Sequence, residues 1–394
     1  MLKDKGIADK VTKAWALKDI WVNLNGTELC DIDVTDFECI YGGCQVPAKL
    51  QFIDSRGITT GDVKDTANIA VGGFVDIGWI TSDGCEHEDS YVITKVRTET
   101  NSKNQKLVNI DLEDLETRNL KGSFLSKGYP SKKFTEAVSS HFKELKNDLL
   151  PNAKDLSVIG PKIEKAMNMV VPGHLNFHDF LNIEMKERGF SYIKDRAMSY
   201  LVHDEFREFG RLLHTGNVFE FDASSVFDFN RIVQFDLDGF NAESFLCSLP
   251  SSDTSMNLID GNAPDAVKNM KGIDSKISRK EAKDSKNDVT FSGVKTSDMV
   301  LGRGKKQGER LGKDRQYFST LSNAQKCSIW VPGRNDNLVG KKVTAIFPKP
   351  SYYSKTSSDD LFTGDWEVQF VRDKIIGAYF MQELILRRPG GDNK

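Results

Sequence analysis

The sequence predicts a mainly β chain with an α+β part: two similar antiparallel β-barrels, the second split by an insertion, and an α+β module between them. Three observations carry this reading. Short apolar stretches separated by turn residues fill residues 18–118 and return after residue 216. Helical spacing is confined to a middle stretch that begins after Gly128. One hairpin phrase is written twice, far apart. The expected divisions are 1–122 for the first barrel, 123–215 for the module, 216–250 with 326–394 for the second barrel, and 251–325 for the insertion.

In chain order, "DIWVNLNG" is a short strand broken at Asn25-Gly26, a hairpin-turn dipeptide. "AKLQFID" is a second, ending at Ser55-Arg56-Gly57. "GGFVDIGWI", "YVITKV" and "LVNIDL" follow. In the last, Val108, Ile110 and Leu112 share one face while Asn109 and Asp111 share the other, so one face is buried and one wet. Short strands at close spacing suit a small antiparallel barrel or sandwich. After Gly128, Phe134, Val138, Phe142 and Leu145 stand at helical spacing, with Ser131 as the expected cap. Asn176 caps a second helix with Phe177, Phe180, Leu181 and Met185 as its apolar stripe, and Gly189 ends it. "FSYI" and "MSYLVH" then read as a hairpin. "SSVFDFNRIVQFDLDGFN" resumes the strands. Residues 251–325 are polar and poor in aromatics, as expected of a long insertion that is partly helical or loosely ordered.

The two β regions match piece by piece. Gly72, Val75 and Ile77 answer Gly340, Val343 and Ala345 at equal offsets. Tyr91, Ile93, Val96 and Arg97 answer Trp366, Val368, Val371 and Arg372. "LQFIDSRG" and "SIWVPGRN" precede the two units. Any two meanders share alternation and glycine turns. A fixed order of matching strands, each with its own offsets, points instead to internal duplication.

The totals exclude several classes. The 394 residues suit two or three domains, and 39% hydrophobic with 28% charged residues is ample for packed cores. A formal charge of −3 lacks the basic surplus of a protein that grips nucleic acid, so no sequence-specific nucleic-acid binding is expected. No apolar run approaches the roughly 18–20 residues of a membrane helix, so no membrane insertion is expected. Six scattered cysteines imply no disulfide framework, and "MLKDKGIADK" has no signal-peptide core, which predicts folding in a reducing cytoplasm.

The phrases "SYVITKV…LVNIDLEDLETRNL", "HLNFHDFLNIEMKERGFSYIKD" and "GKKVTAIFP…GDWEVQFVRDKIIGAYFMQELILRR" together resemble the baseplate hub proteins of contractile-tailed bacteriophages, relatives of the hub part of type VI secretion spikes. The resemblance runs over most of the chain and stops at residues 251–325. It implies a structural virion protein of the tail baseplate, assembled in the host cytoplasm. It implies a homotrimer whose paired barrels make a ring of six, seated between a hexameric tail tube protein and a trimeric spike protein, with DNA passing through. Matching operators are what closed contacts between rings require. A lumen that lets DNA slide should be neutral to acidic, with Asp111, Glu113 and Glu116 as the candidate lining residues. An ordinary solvated strand face is the alternative for each of them.

Reactive chemistry is sparse. His174 and His178 stand four apart, but His174 precedes the cap and no zinc-protease Glu follows it. Cys39 and Cys44, with Cys85 and His87, are too widely spread for a usual zinc site. "LGRGKKQGERLGKD" lacks phosphate-loop spacing and reads as a basic loop, able to touch a spike or tape-measure protein. No nucleophile elbow or acid pair is assigned. The sequence therefore predicts no catalytic residue, no metal and no cofactor. The competing reading is a β-rich enzyme or glycan-binding module with its site in 251–325; a monomer or dimer with a deep carboxylate-lined pocket would favour it.

Overall fold

The computed structural model describes residues 17–29, 33–54, 69–81, 84, 86–100, 105–148, 155–160, 164, 166–188, 190–196, 198–203, 212–221, 230–238, 256–257, 288–289, 325–334, 336–348 and 362–388. The first strands are β1 (Leu17–Leu24), β2 (Thr27–Glu28), β3 (Asp33–Tyr41), β4 (Pro47–Asp54), β5 (Phe74–Thr81), β6 (Glu86–Thr100) and β7 (Lys106–Asp114). Then come α1 (Leu115–Gly122), β8 (Lys127–Lys132), α2 (Phe134–Asp148), β9 (Leu156–Ile159), β10 (Met167–Val171), α3 (Phe177–Arg188), β11 (Phe190–Lys194) and β12 (Ser199–His203). The remainder is β13 (His214–Glu220), β14 (Gln234–Asp238), the two-residue β15 (Met256–Asn257) and β16 (Asp288–Val289), β17 (Gln325–Pro332), β18 (Lys342–Ile346), β19 (Gly364–Ile376) and β20 (Tyr379–Arg388).

Among the described residues one 13-stranded sheet dominates, on the path β14-β17-β20-β19-β3-β4-β7-β6-β5-β1-β2, with β18 on β19 and β13 on β18. Within it one plan occurs twice: β3-β4-β7-β6-β5-β1 and β14-β17-β20-β19-β18-β13. The match extends to single bonds. Gly72 N–H donates to the Ile93 carbonyl at 2.8 Å, and Gly340 N–H to the Val368 carbonyl at 2.9 Å. Ile93 and Val368 each donate back at 2.9 Å, to Gly73 and Lys341. Gly72 and Gly340 hold φ of 90° and 75°, a left-handed turn that a Cβ would strain. β6 bulges against β7 between Ile93 and Lys95, and β19 against β20 between Val368 and Phe370. The plans differ at one end, where β1 runs antiparallel to β5 but β13 parallel to β18.

Among the described residues the strands close no barrel, in contrast to the two separate barrels expected. β19 is long enough to do two jobs: Gly364–Glu367 pair with β18, and Val371–Ile376 pair with β3. The second pairing satisfies backbone groups that would otherwise lie on exposed edges, and it fuses the two units into one sheet. The core is continuous across the fusion. Trp79 of the first unit packs against Phe37 at 5.6 Å and against Phe380 of the second at 5.8 Å between ring centroids. The Asn25-Gly26 turn appears as expected, with φ of 50° and 82°.

Residues 120–201 carry their own core, built on Phe134, Phe142, Phe177 and Phe180. β11 and β12 form the expected hairpin, and β12 also pairs parallel with β9. Asn176 caps α3, its Oδ1 accepting from Asp179 N–H at 2.8 Å. Ser131 does not cap α2. It lies in β8 with φ of 54°, and Glu164 caps from afar, accepting from Thr135 N–H at 3.0 Å and Thr135 Oγ1 at 2.7 Å. The Gly189 stop, the Ser55-Gly57 turn, the basic loop 301–314 and nearly all of the 251–325 insertion lie outside the described residues. No described helix is long and apolar enough to cross a membrane.

Candidate assembly site

The seam between β19 and β3 is where the two units and the α+β part meet. Its register runs from Val371 opposite Tyr41 to Ile376 opposite Asp36. On the inner face Phe37, Cys39, Tyr41, Val371, Asp373 and Ile375 are all buried. A buried carboxylate needs partners. Asp373 has the Arg196 guanidinium, whose Nε donates at 3.0 Å and whose Nη2 lies closer still, and Gln382 Nε2 at 2.7 Å. Arg196 also donates to the Arg334 carbonyl at 2.7 Å and lies 5.4 Å from the Tyr41 ring centroid. Burial works against the Arg196 charge, but the adjacent Asp373 carboxylate outweighs it and holds the guanidinium protonated.

Arg196 follows β11, and the residues just before it dock beside the seam. Gly42 N–H donates to the Lys194 carbonyl at 2.9 Å, and Lys194 N–H to the Gly43 carbonyl at 3.0 Å. Gly42 is crowded as well: a Cβ there would collide with the Gln369 carbonyl oxygen of β19. Lys194 Nζ reaches Asp114 at 2.5 Å, Thr117 Oγ1 at 2.8 Å and Glu116 at 3.6 Å. Burial alone would raise the Asp114 carboxyl; the Lys194 ammonium and hydrogen bonds from Val46 N–H and Thr117 hold it below the usual carboxylate range. Two buried cation–anion clusters thus pin the α+β part to both β units.

The opposite, wet face of the seam carries interleaved charge. Arg372 pairs with Glu383 at 2.7 Å and reaches Glu38 at 3.6 Å; Lys374 lies 3.8 Å from both Asp36 and Glu38. Farther along the sheet, Arg97 pairs with Asp111 at 3.2 Å, and Gln51 donates to Asn109 at 2.7 Å. The seam pairs are partly exposed and Arg97–Asp111 is exposed, and a surface pair contributes only about 0–1 kcal/mol. Their effect is on the field of the face, where these charges stand beside opposite ones.

Of the candidate lining residues, Asp111 lies on this face and Glu113 lies on the same side of β7, held by Lys121. Glu116 lies apart, at the Lys194 cluster, accepting from Ser199 Oγ at 3.2 Å. Arg196, Lys194 and Asp373, which tie the site together, were not singled out by sequence reasoning. In sequence they resemble any solvated charge, and only burial distinguishes them.

Among the described residues no cluster of three His, Cys, Asp or Glu residues could hold an ion. His178 is buried and bonded to Asn182 at 3.0 Å, while His174 is exposed. His87 bonds Asp89 at 3.0 Å and lies 3.3 Å from the Tyr41 hydroxyl; Cys39 is buried, and Cys85 lies outside the described residues.

No protein-family model matches the sequence, and no curated protein matches it. Solved structures do. The 43 kDa tail protein of prophage MuSo2 from Shewanella oneidensis aligns with a TM-score of 0.56 at 10% identity, over 94% of this chain and 98% of its own. The tail protein from Neisseria meningitidis MC58 aligns with a TM-score of 0.52 at 10% identity, over 94% and 96%. The fold is that of phage tail proteins. A type VI secretion component from Escherichia coli, described as structurally similar to the T4 phage tail proteins gp27 and gp5, aligns with a TM-score of 0.50 at 10% identity, over 95% of this chain and 79% of its own. The tail-protein fold extends over almost the whole length, so both β units and the part between them belong to it.

Proposed function

We propose that this chain is a structural protein of a phage tail, a baseplate hub in which three copies form a ring of six like units. The observation that carries the reading is the repeated strand plan, down to the Gly72/Gly340 hydrogen bonds and the paired bulges. A chain carrying two like units lets a threefold assembly present sixfold-like contacts to a hexameric tail tube protein while keeping threefold contacts for a trimeric spike protein. Residues 1–122, and 216–250 with 326–394, are then tube-like, barrel-type units, and 123–215 buttresses their seam. The wet sheet face with Asp111 and Glu113 lines the opening, and Glu116 supports the wall from behind. Arg97, Arg372 and Lys374 on that face stand beside carboxylates, which weakens their pull on DNA phosphates. The insertion and the basic loop within it are the parts left to meet the spike or a tape-measure protein. The role calls for no catalytic step and no cofactor, and it belongs to the virion tail.

Light scattering on the purified protein tests this. The expected mass is three times the 44.2 kDa of one chain, and negative-stain images down the axis should show six lobes around an opening. A monomer at every concentration would contradict the hub and favour the enzyme or glycan-binding alternative.

A further inference from the structure

We infer that the face of β1, β5 and β6 turned away from the core docks an arginine-bearing segment of a protein partner, with the Trp21 indole as the platform for the guanidinium. The inference goes beyond the ring reading and does not need it, because the patch lies within one unit of one chain.

Strand register builds the patch. Val75, Ile77 and Trp79 of β5 point into the core, so Asp76, Gly78 and Ile80 take the other side. Trp21 of β1 and Glu88 of β6 stand opposite Gly78 from either side. In the next row Asp76 lies between Asn23 and Ser90, and in the row before it Ile80 lies between Asp19 and Glu86. Gly78 has no side chain to lift the indole. A Cβ there would stand 2.2 Å from the Trp21 ring, so the ring lies across the β5 backbone, with Glu88 one strand beyond. Trp21 is only partly buried, and it belongs to neither core cluster. The seat is also absent from the duplicated plan. The offset that matches Val75 to Val343 puts Ile346 in the place of Gly78, and that side chain leaves no room for a ring. The second unit folds without the platform, so the fold does not require it.

The charges around the indole say what it takes. Asp19, Glu86 and Glu88 are exposed and Asp76 partly so, and the three rows hold no lysine or arginine. Among the described residues none of these four carboxylates forms an ion pair; Ser90 Oγ donates to Asp76 at 2.6 Å. On the seam, by contrast, Glu38 and Glu383 both have Arg372. An aromatic face ringed by uncompensated carboxylates attracts a cation. Guanidinium fits better than ammonium: it is planar, weakly hydrated, and stacks on the indole while its edge donors reach a flanking carboxylate. Phe74 is 52% exposed and lies two residues from Asp76 on the same side, where it offers apolar contact to a neighbouring side chain of the segment. A neutral glycan would stack on the indole but leave the four carboxylates without a counter-charge.

Fluorine NMR of protein labelled with fluorotryptophan tests this, the Trp21 line being the one lost in Trp21→Phe. The probe is a valine–arginine–valine peptide blocked at both ends. It should move the Trp21 line saturably and leave the other tryptophan lines in place. The peptide with lysine for arginine should bind about threefold more weakly, and the one with glutamate should not bind. Gly78→Ala, which pushes the indole off its seat, and the exposed pair Asp76→Asn with Glu88→Gln should each weaken binding by about fivefold. A Trp21 line unmoved at about 10 mM peptide overturns the inference. So does a neutral chitin oligosaccharide that moves the line when the arginine peptide does not. Trp21→Ala should leave the mass by light scattering unchanged; a fall in mass would place the patch in a contact between copies and overturn the inference while leaving the ring reading standing.

Discussion

His141 shows how a polar residue is held in an apolar place. It sits on α2 with Nδ1 2.9 Å from the Tyr129 hydroxyl, its ring 4.8 Å from that of Phe177, and no hydrogen-bond partner at Nε2. Burial pushes its pKa down to about 4. The unfolded chain takes up the proton near the ordinary value of about 6.5, so the stability held above that pH is lost as pH falls toward 4. The urea midpoint should drop through this window more steeply in the wild type than in His141→Phe; equal slopes would contradict the assignment. At this scale the repeated offsets were legible from Gly72, Tyr91 and Val96 against Gly340, Trp366 and Val371. The identity of the buried charges was not. Asp373 and Lys374 are neighbours in sequence, yet one is fully buried and the other lies on the wet face.

Among the elements, β19 and α2 separate what local pattern can say from what it cannot. The alternation of β19 was readable, and so was its return in β20, because period-two patterning is written in consecutive residues. That the same strand would pair with β18 and then β3 was not readable, because the partner lies more than three hundred residues away. The cap of α2 failed for the same reason: Ser131 had the right chemistry nearby, and Glu164 supplied it from a distance. The seam's own stability is testable. Asp373→Asn leaves the Arg196 charge buried and unpaired, and should cost about 3–5 kcal/mol in chemical denaturation. Replacing both, as Arg196→Met with Asp373→Leu, should cost distinctly less than the single change. A single-variant loss under about 1 kcal/mol would show that the pair does not hold the seam.

Over the whole molecule the charge is −3, and on the wet face Arg97, Arg372 and Lys374 stand beside carboxylates. The assembled protein should therefore show no retention of double-stranded DNA at about 150 mM salt, with little change in binding as salt falls. Submicromolar affinity with a steep salt dependence would contradict a sliding channel. The sequence by itself determined the β texture, the helical middle and the doubled unit, because each is a periodicity or an offset carried by residues close in the chain. Only the tertiary structure decided that the two units fuse edge to edge and that Arg196 and Lys194 lock the middle part to that seam. Those outcomes depend on which distant backbone edges and charges meet once water is excluded, and no local pattern encodes that meeting.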